Sequence, residues 1–125
     1  MESKRIESFE DLVVWQKSHH LSCDIYSATS KFPKREQTSL AQQLREAVAQ
    51  VPVNIAFGFT IRGRKNKIYY YEAALLSIEK VRCLVLLAKD LGHYKNPGPS
   101  LEEGLVIEKM LKRLIHSVSI PDRRP

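Results

Sequence analysis

At 125 residues the chain has room for one domain, residues 1–125, and a domain of this length buries enough surface for a core without disulfide or metal staples. Hydrophobic residues make up 43% and charged residues 27%, which excludes a disordered chain, and no apolar run approaches the ~20 residues of a membrane span. The formal net charge of +6 favours an anionic partner, nucleic acid above all. The first ten residues mix Lys4 and Arg5 with Glu2, Glu7 and Glu10 and lack the apolar stretch of a secretory signal, so a cytoplasmic protein is expected.

Four helices are predicted, over residues 9–29, 34–62, 66–91 and 100–119. In the first, Val14, Ser18, Leu21, Ile25 and Ala28 recur at spacings of three and four, with Ser8 as N-cap and Asp11 three residues on. Pro33 marks the turn that follows. The second stripe is Leu40, Leu44, Ala47, Val51 and Ile55. Pro52 interrupts it, removing one backbone hydrogen bond and predicting a kink, and the Asn54 amide is placed to serve the carbonyl left without a donor or, as the alternative, to pair across a subunit boundary. The third stripe, Tyr71, Ala74, Ile78, Val81, Val85 and Ala88, is unbroken, and Leu91-Gly92 reads as its left-handed end. Ser100 and Glu103 form a capping box for the fourth helix, where Gly104, Ile107, Leu111, Leu114 and Val118 share a face until Pro121. No strand alternation is present. Matched helices and short connections predict an all-α, antiparallel, up-and-down four-helix bundle.

From Val81 to Ala88 only Arg82 is charged, so the third helix carries more apolar surface than one bundle face uses. Another subunit is expected to cover Cys83, Leu84, Leu86 and Leu87; a deeply buried helix in an asymmetric bundle is the alternative. Tyr69, Tyr70 and Tyr71 fan across the helix surface, so at least one faces solvent or a partner, and Tyr69 and Tyr70 join the candidate interface.

Between Glu46 and Glu72 there is no acid, while Arg62, Arg64, Lys65 and Lys67 form a basic connection between the second and third helices. An up-and-down bundle places that connection at the same end as both termini, where Lys4, Arg5, Arg123 and Arg124 add to it against Glu2, Glu7 and Asp122. Arg62, Arg64, Lys65, Lys67, Arg123 and Arg124 are candidates for phosphate contacts with RNA or DNA, with Lys109, Lys112 and Arg113 next in line. The alternative is a protein–protein adaptor whose basic surface docks an acidic partner.

Catalytic and metal chemistry finds no support. His19 and His20 point about 100° apart on a helix. His19 and Cys23 could share an ion but are two ligands where a structural zinc takes four, so Cys23 and Cys83 read as reduced, packed thiols. His93 and His116 stand alone as surface or helix-end residues. Neither a phosphate-binding glycine loop nor a nucleophile elbow occurs, and no enzyme activity, cofactor or membrane partner is expected.

The succession Phe9, Leu12, Trp15, Ile25, Tyr26, Phe32, Pro33, then Leu40, Gln43, Leu44, Arg45, Val51, Pro52, Asn54, Ile55, Ala56, Gly58, resembles a bacterial four-helix bundle family encoded in intervening sequences of large-subunit ribosomal RNA genes. Ala74, Ser77, Leu91, Gly92 and Tyr94 extend the resemblance over almost the whole chain. It implies an antiparallel bundle assembling into a ring-like homopentamer with no assigned enzymatic activity. The chain is also similar to accessory proteins of diversity-generating retroelements, which form basic pentamers that bind reverse transcriptase and nucleic acid. It departs from the family pattern at Phe57, Leu76 and Lys80, where Glu, Gly and Glu are usual.

Overall fold

A computed structural model describes residues 5–120. Its helices are α1 (Val13–Thr29), α2 (Leu40–Thr60), α3 (Arg64–Asp90) and α4 (Gly98–Ser119), with short 3-10 turns at Phe9–Asp11 and Lys34–Glu36. There is no strand among the described residues. Each helix packs on its neighbours in sequence, and α1 closes the set against α4, with no diagonal seam among the described residues. The direction of three of the four seams follows from their contacts, and the three-residue connection between α2 and α3 sets that of the fourth. Ser22 meets Val48 while Thr29 meets Arg45; Arg82 meets Glu108 while Tyr94 meets Ser100; Lys17 meets Glu103 while Leu12 lies near Leu114. Rising numbers on one helix meet falling numbers on the next, as an antiparallel up-and-down bundle requires.

The core is built from the stripes that the sequence displays. All five stripe residues of α2 and all six of α3 are buried. On α1 the stripe ends in Thr29 rather than in Ala28, which is only half-buried, and on α4 burial is complete for Gly104, Ile107 and Leu111 but partial for Leu114 and Val118. Filling these sites with Leu, Ile and Val contributes about 1.5–3 kcal/mol per large side chain. The buried hydroxyls cost little, because Ser18 donates to the Val14 carbonyl and Thr29 to that of Ile25, each one turn back.

Helix ends differ from the expectation at several points. Ser8 opens a 3-10 turn, not α1 itself: the Asp11 carboxylate accepts the backbone N–H of Ser8 at 3.1 Å, and the helix starts two residues later. Residues 34–39 are a 3-10 turn and its continuation, because Gln37 folds back to donate to the carbonyls of Thr29 and Phe32 and so closes the end of α1. The Ser100 capping box does not form. The fourth helix begins earlier, with Pro97 at the cap and Pro99 in the first turn, and the Ser100 hydroxyl pairs with the Tyr94 hydroxyl at 2.7 Å. Gly92 does end α3 with φ of +79°. His93 N–H reaches back to Ala88 and Gly92 N–H to Lys89, a six-to-one and five-to-two pair that only a left-handed residue allows at low cost.

Helix α2 runs through Pro52, which is buried. The carbonyl deprived of its usual donor is that of Val48, four residues back, and Asn54 does not serve it. The Asn54 amide donates to Gln50, while the Ser22 hydroxyl on α1 lies 3.2 Å from the Val48 oxygen. A neighbouring helix therefore supplies a donor, one hydroxyl proton shared between the Val48 carbonyl and the Ser18 carbonyl at 2.9 Å.

Candidate nucleic-acid interface

Helix α2 ends at Thr60 and α3 begins at Arg64, so the connection is three residues long and not a basic loop. Gly63 makes the turn possible: its φ of +94° is a region that residues with a Cβ rarely adopt. Arg62 alone of the four central candidates lies in the connection. Arg64, Lys65 and Lys67 occupy the first turn of α3, which contains no acid. The helix macrodipole is positive at this end, so cations here oppose helix stability while concentrating positive potential.

The four residues do not act alike. Arg62, Arg64 and Lys65 are exposed, with charges facing solvent. Lys67 is half-buried and turned inward, its Nζ donating to the carbonyls of Gly58 at 3.0 Å and Phe59 at 2.9 Å. Those are among the last carbonyls of α2, where a cation is electrostatically favoured. Lys67 thus fastens α2 to α3 and is withdrawn from the set of free phosphate ligands. Lys4, Arg123 and Arg124 lie outside the described residues. Arg5 is exposed, and Arg113 is exposed near the end of α4, at the same pole. Lys112 is committed elsewhere, donating to Glu108 at 2.8 Å.

An aromatic group stands beside the cations. Tyr71 enters the core, and its ring lies so close to Gly58 that a Cβ there would come within 2.5 Å of it. Burial raises the Tyr71 hydroxyl above its ordinary pKa. Tyr69 points outward, 67% exposed, and packs edge-on against Tyr70, with centroids 5.1 Å apart. Tyr70 meets Phe57 of α2 edge-on at 5.5 Å. Phe57, Thr60, Ile61 and Tyr70 line a shallow recess of about 290 Å³. Phe57 is visible in the sequence as an aromatic outside the α2 stripe, yet nothing local pairs it with Tyr70.

The expected interface residues also divide. Leu84 packs against the core, whereas Cys83, Leu86 and Leu87 are exposed, so the outer face of α3 carries Tyr69, Leu76, Cys83 and Leu87 in one line with Lys80 among them. Neither cysteine is packed: Cys23 and Cys83 are both free and exposed, because each falls off its helix's buried stripe. His93 is a helix-end residue as expected, but its side chain is 9% exposed and paired to Glu36 at 3.0 Å, a part-buried tie between α3's end and the α1–α2 connection. His19 stacks on Trp15 at 4.8 Å. Among the described residues no group of three or more His, Cys, Asp or Glu is placed to hold a metal ion, and no helix is long and apolar enough to cross a membrane.

Fold and surface together define an all-helical bundle with a cation-rich pole and an apolar outer stripe. Residues 10–113 match the family described as 23S rRNA-intervening sequence protein, and the chain belongs to that family. Among curated proteins none matches it.

Proposed function

We propose that the protein is a non-enzymatic, self-associating bundle that binds nucleic acid through the pole formed by the α2–α3 connection. The observation that carries this reading is the placement of Arg62, Arg64 and Lys65, all exposed, at a positive helix end within a stretch that has no acid from Ala47 to Tyr71. Cations in the first turn work against the helix dipole, so their clustering there is a local conflict of the kind that accompanies function. Self-association, into five subunits as the family resemblance implies, repeats the pole in every subunit and converts weak phosphate contacts into avid ones.

The test is a mobility-shift titration of the intact protein with RNA and duplex DNA over a salt series. Changing Arg62, Arg64 and Lys65 to Ala lowers affinity for all sequences and flattens the dependence of log K on log salt by about one unit for each phosphate no longer neutralised. A protein that binds neither polymer at low salt refutes the reading. The same exposed cations support a second reading, a protein adaptor whose basic surface docks an acidic partner, which predicts capture of that partner undiminished by nuclease.

A further inference from the structure

We infer that the recess between α2 and α3 is a seat for a single unpaired nucleobase, so that the nucleic acid recognised at this pole is single-stranded. The inference rests on the polyanion reading above and adds which form of the polymer the surface selects. The four residues around the recess supply what base stacking needs. Phe57 and Tyr70 present two rings 5.5 Å apart and inclined by 74°, leaving an apolar notch of about 290 Å³ open to solvent. A π-face is common to every base, which makes such a seat tolerant of sequence. Thr60 and Tyr70 are among the residues that line the notch, and both carry a hydroxyl that can donate or accept a hydrogen bond.

The cations stand close to that seat along the chain. Arg62 directly follows Ile61, which lines the recess, and Arg64 and Lys65 precede Tyr70 on the same helix by six and five residues, about 9 Å or less along its axis. Duplexes are poorly suited to this surface because their π-faces are covered by stacking, and a recess of this size takes one ring system and not a groove edge. A second copy of the chain is also less suited: the centres of protein interfaces are depleted in charge, whereas this apolar notch is followed in the chain by three exposed cations, within a stretch that has no acid from residue 47 to residue 71.

The experiment uses the intact protein with a single-stranded oligonucleotide carrying one fluorescent adenine analogue, whose emission falls on stacking, and a duplex of equal length. The expected result is single-strand binding about tenfold or more tighter than duplex binding, with quenching of the analogue. Phe57→Leu combined with Tyr70→Leu lowers single-strand affinity by about ten- to a hundredfold and abolishes the quenching, while duplex affinity, salt slope, helicity and subunit mass stay as they were. Phe57→Trp keeps a π-face at the exposed position and retains the single-strand preference, which separates loss of stacking from loss of fold. The assignment is overturned if the leucine variant binds single strands like the wild type, or if its subunit mass falls, which would make the notch a seat for another copy. Equal binding of both polymers without quenching refutes the base seat alone. Binding of neither refutes the polyanion reading beneath it.

Discussion

Ser22 shows how one side chain sustains a feature encoded far from it. Pro52 removes a donor from α2, and the hydroxyl that stands in reaches the Val48 carbonyl from α1, while also lying 2.9 Å from the Ser18 oxygen of its own helix. Ser22→Ala leaves that half-buried carbonyl without its substitute donor and lowers stability by about 1 kcal/mol, read as a shift of the urea midpoint at constant slope. Asn54→Ala, by contrast, removes one exposed bond to Gln50 and changes stability by less than about 0.5 kcal/mol. Equal losses from the two substitutions would contradict the assignment. The deficit at Pro52 is plain in the sequence, which offers the nearest amide to repair it. The actual donor is 26 positions away, and only the helix register reveals it.

Between helices, the α3–α4 seam is clasped by Arg82, whose Nη1 donates to Glu108 at 2.7 Å and to Glu79 at 2.9 Å. Gly104 gives the arginine stem its place, since a Cβ there would come within 3.1 Å of Arg82 Cγ. The Lys112 hydrogen bond, with smaller contributions from Glu79 and from the Lys112 and Arg82 charges, holds the Glu108 carboxyl below its ordinary value of 4.5. A carboxyl depressed in the folded state stabilises fully above its unfolded pKa, and that contribution is lost as pH falls through the folded value. Thermal stability should therefore hold above pH 4.5 and decline below it. Glu108→Gln should lower the plateau and shrink the acid decline, and an unaltered acid limb would show that other carboxylates carry it. This seam also marks what was legible in sequence. The stripes of α2 and α3 could be read residue by residue, because burial on a helix follows a fixed period. The ends could not: Ser100 has the right residues for a cap, but Pro97 starts the helix first, and Gln37 ends α1 through contacts that no local pattern contains.

Across the whole molecule, the candidate polar site was legible as composition but not as geometry. Charge counting finds Arg62, Arg64, Lys65 and Lys67 together, yet only the fold separates Lys67, which ties down the end of α2, from three cations that face solvent. The same sorting applies to the apolar face that motivates self-association. Leu84 belongs to the bundle's own packing, so Leu84→Glu places a charge against the core and should cost helicity and stability together. Leu76 and Leu87, 72% and 47% exposed, stand on the outer line of α3 and leave the core untouched when changed. Burying one such leucine in a subunit contact contributes up to about 1.5–3 kcal/mol, and a glutamate in its place adds the cost of desolvating a charge. Repetition around a closed ring multiplies the penalty by the number of subunit boundaries. Leu76→Glu combined with Leu87→Glu should therefore reduce the mass measured by light scattering to that of one chain, with the far-ultraviolet helix signal and melting transition retained. An oligomer that survives the pair places the subunit contact on another face. A wild-type protein whose mass is that of a single chain at every concentration removes the ring altogether and leaves the polar pole to bind as one copy.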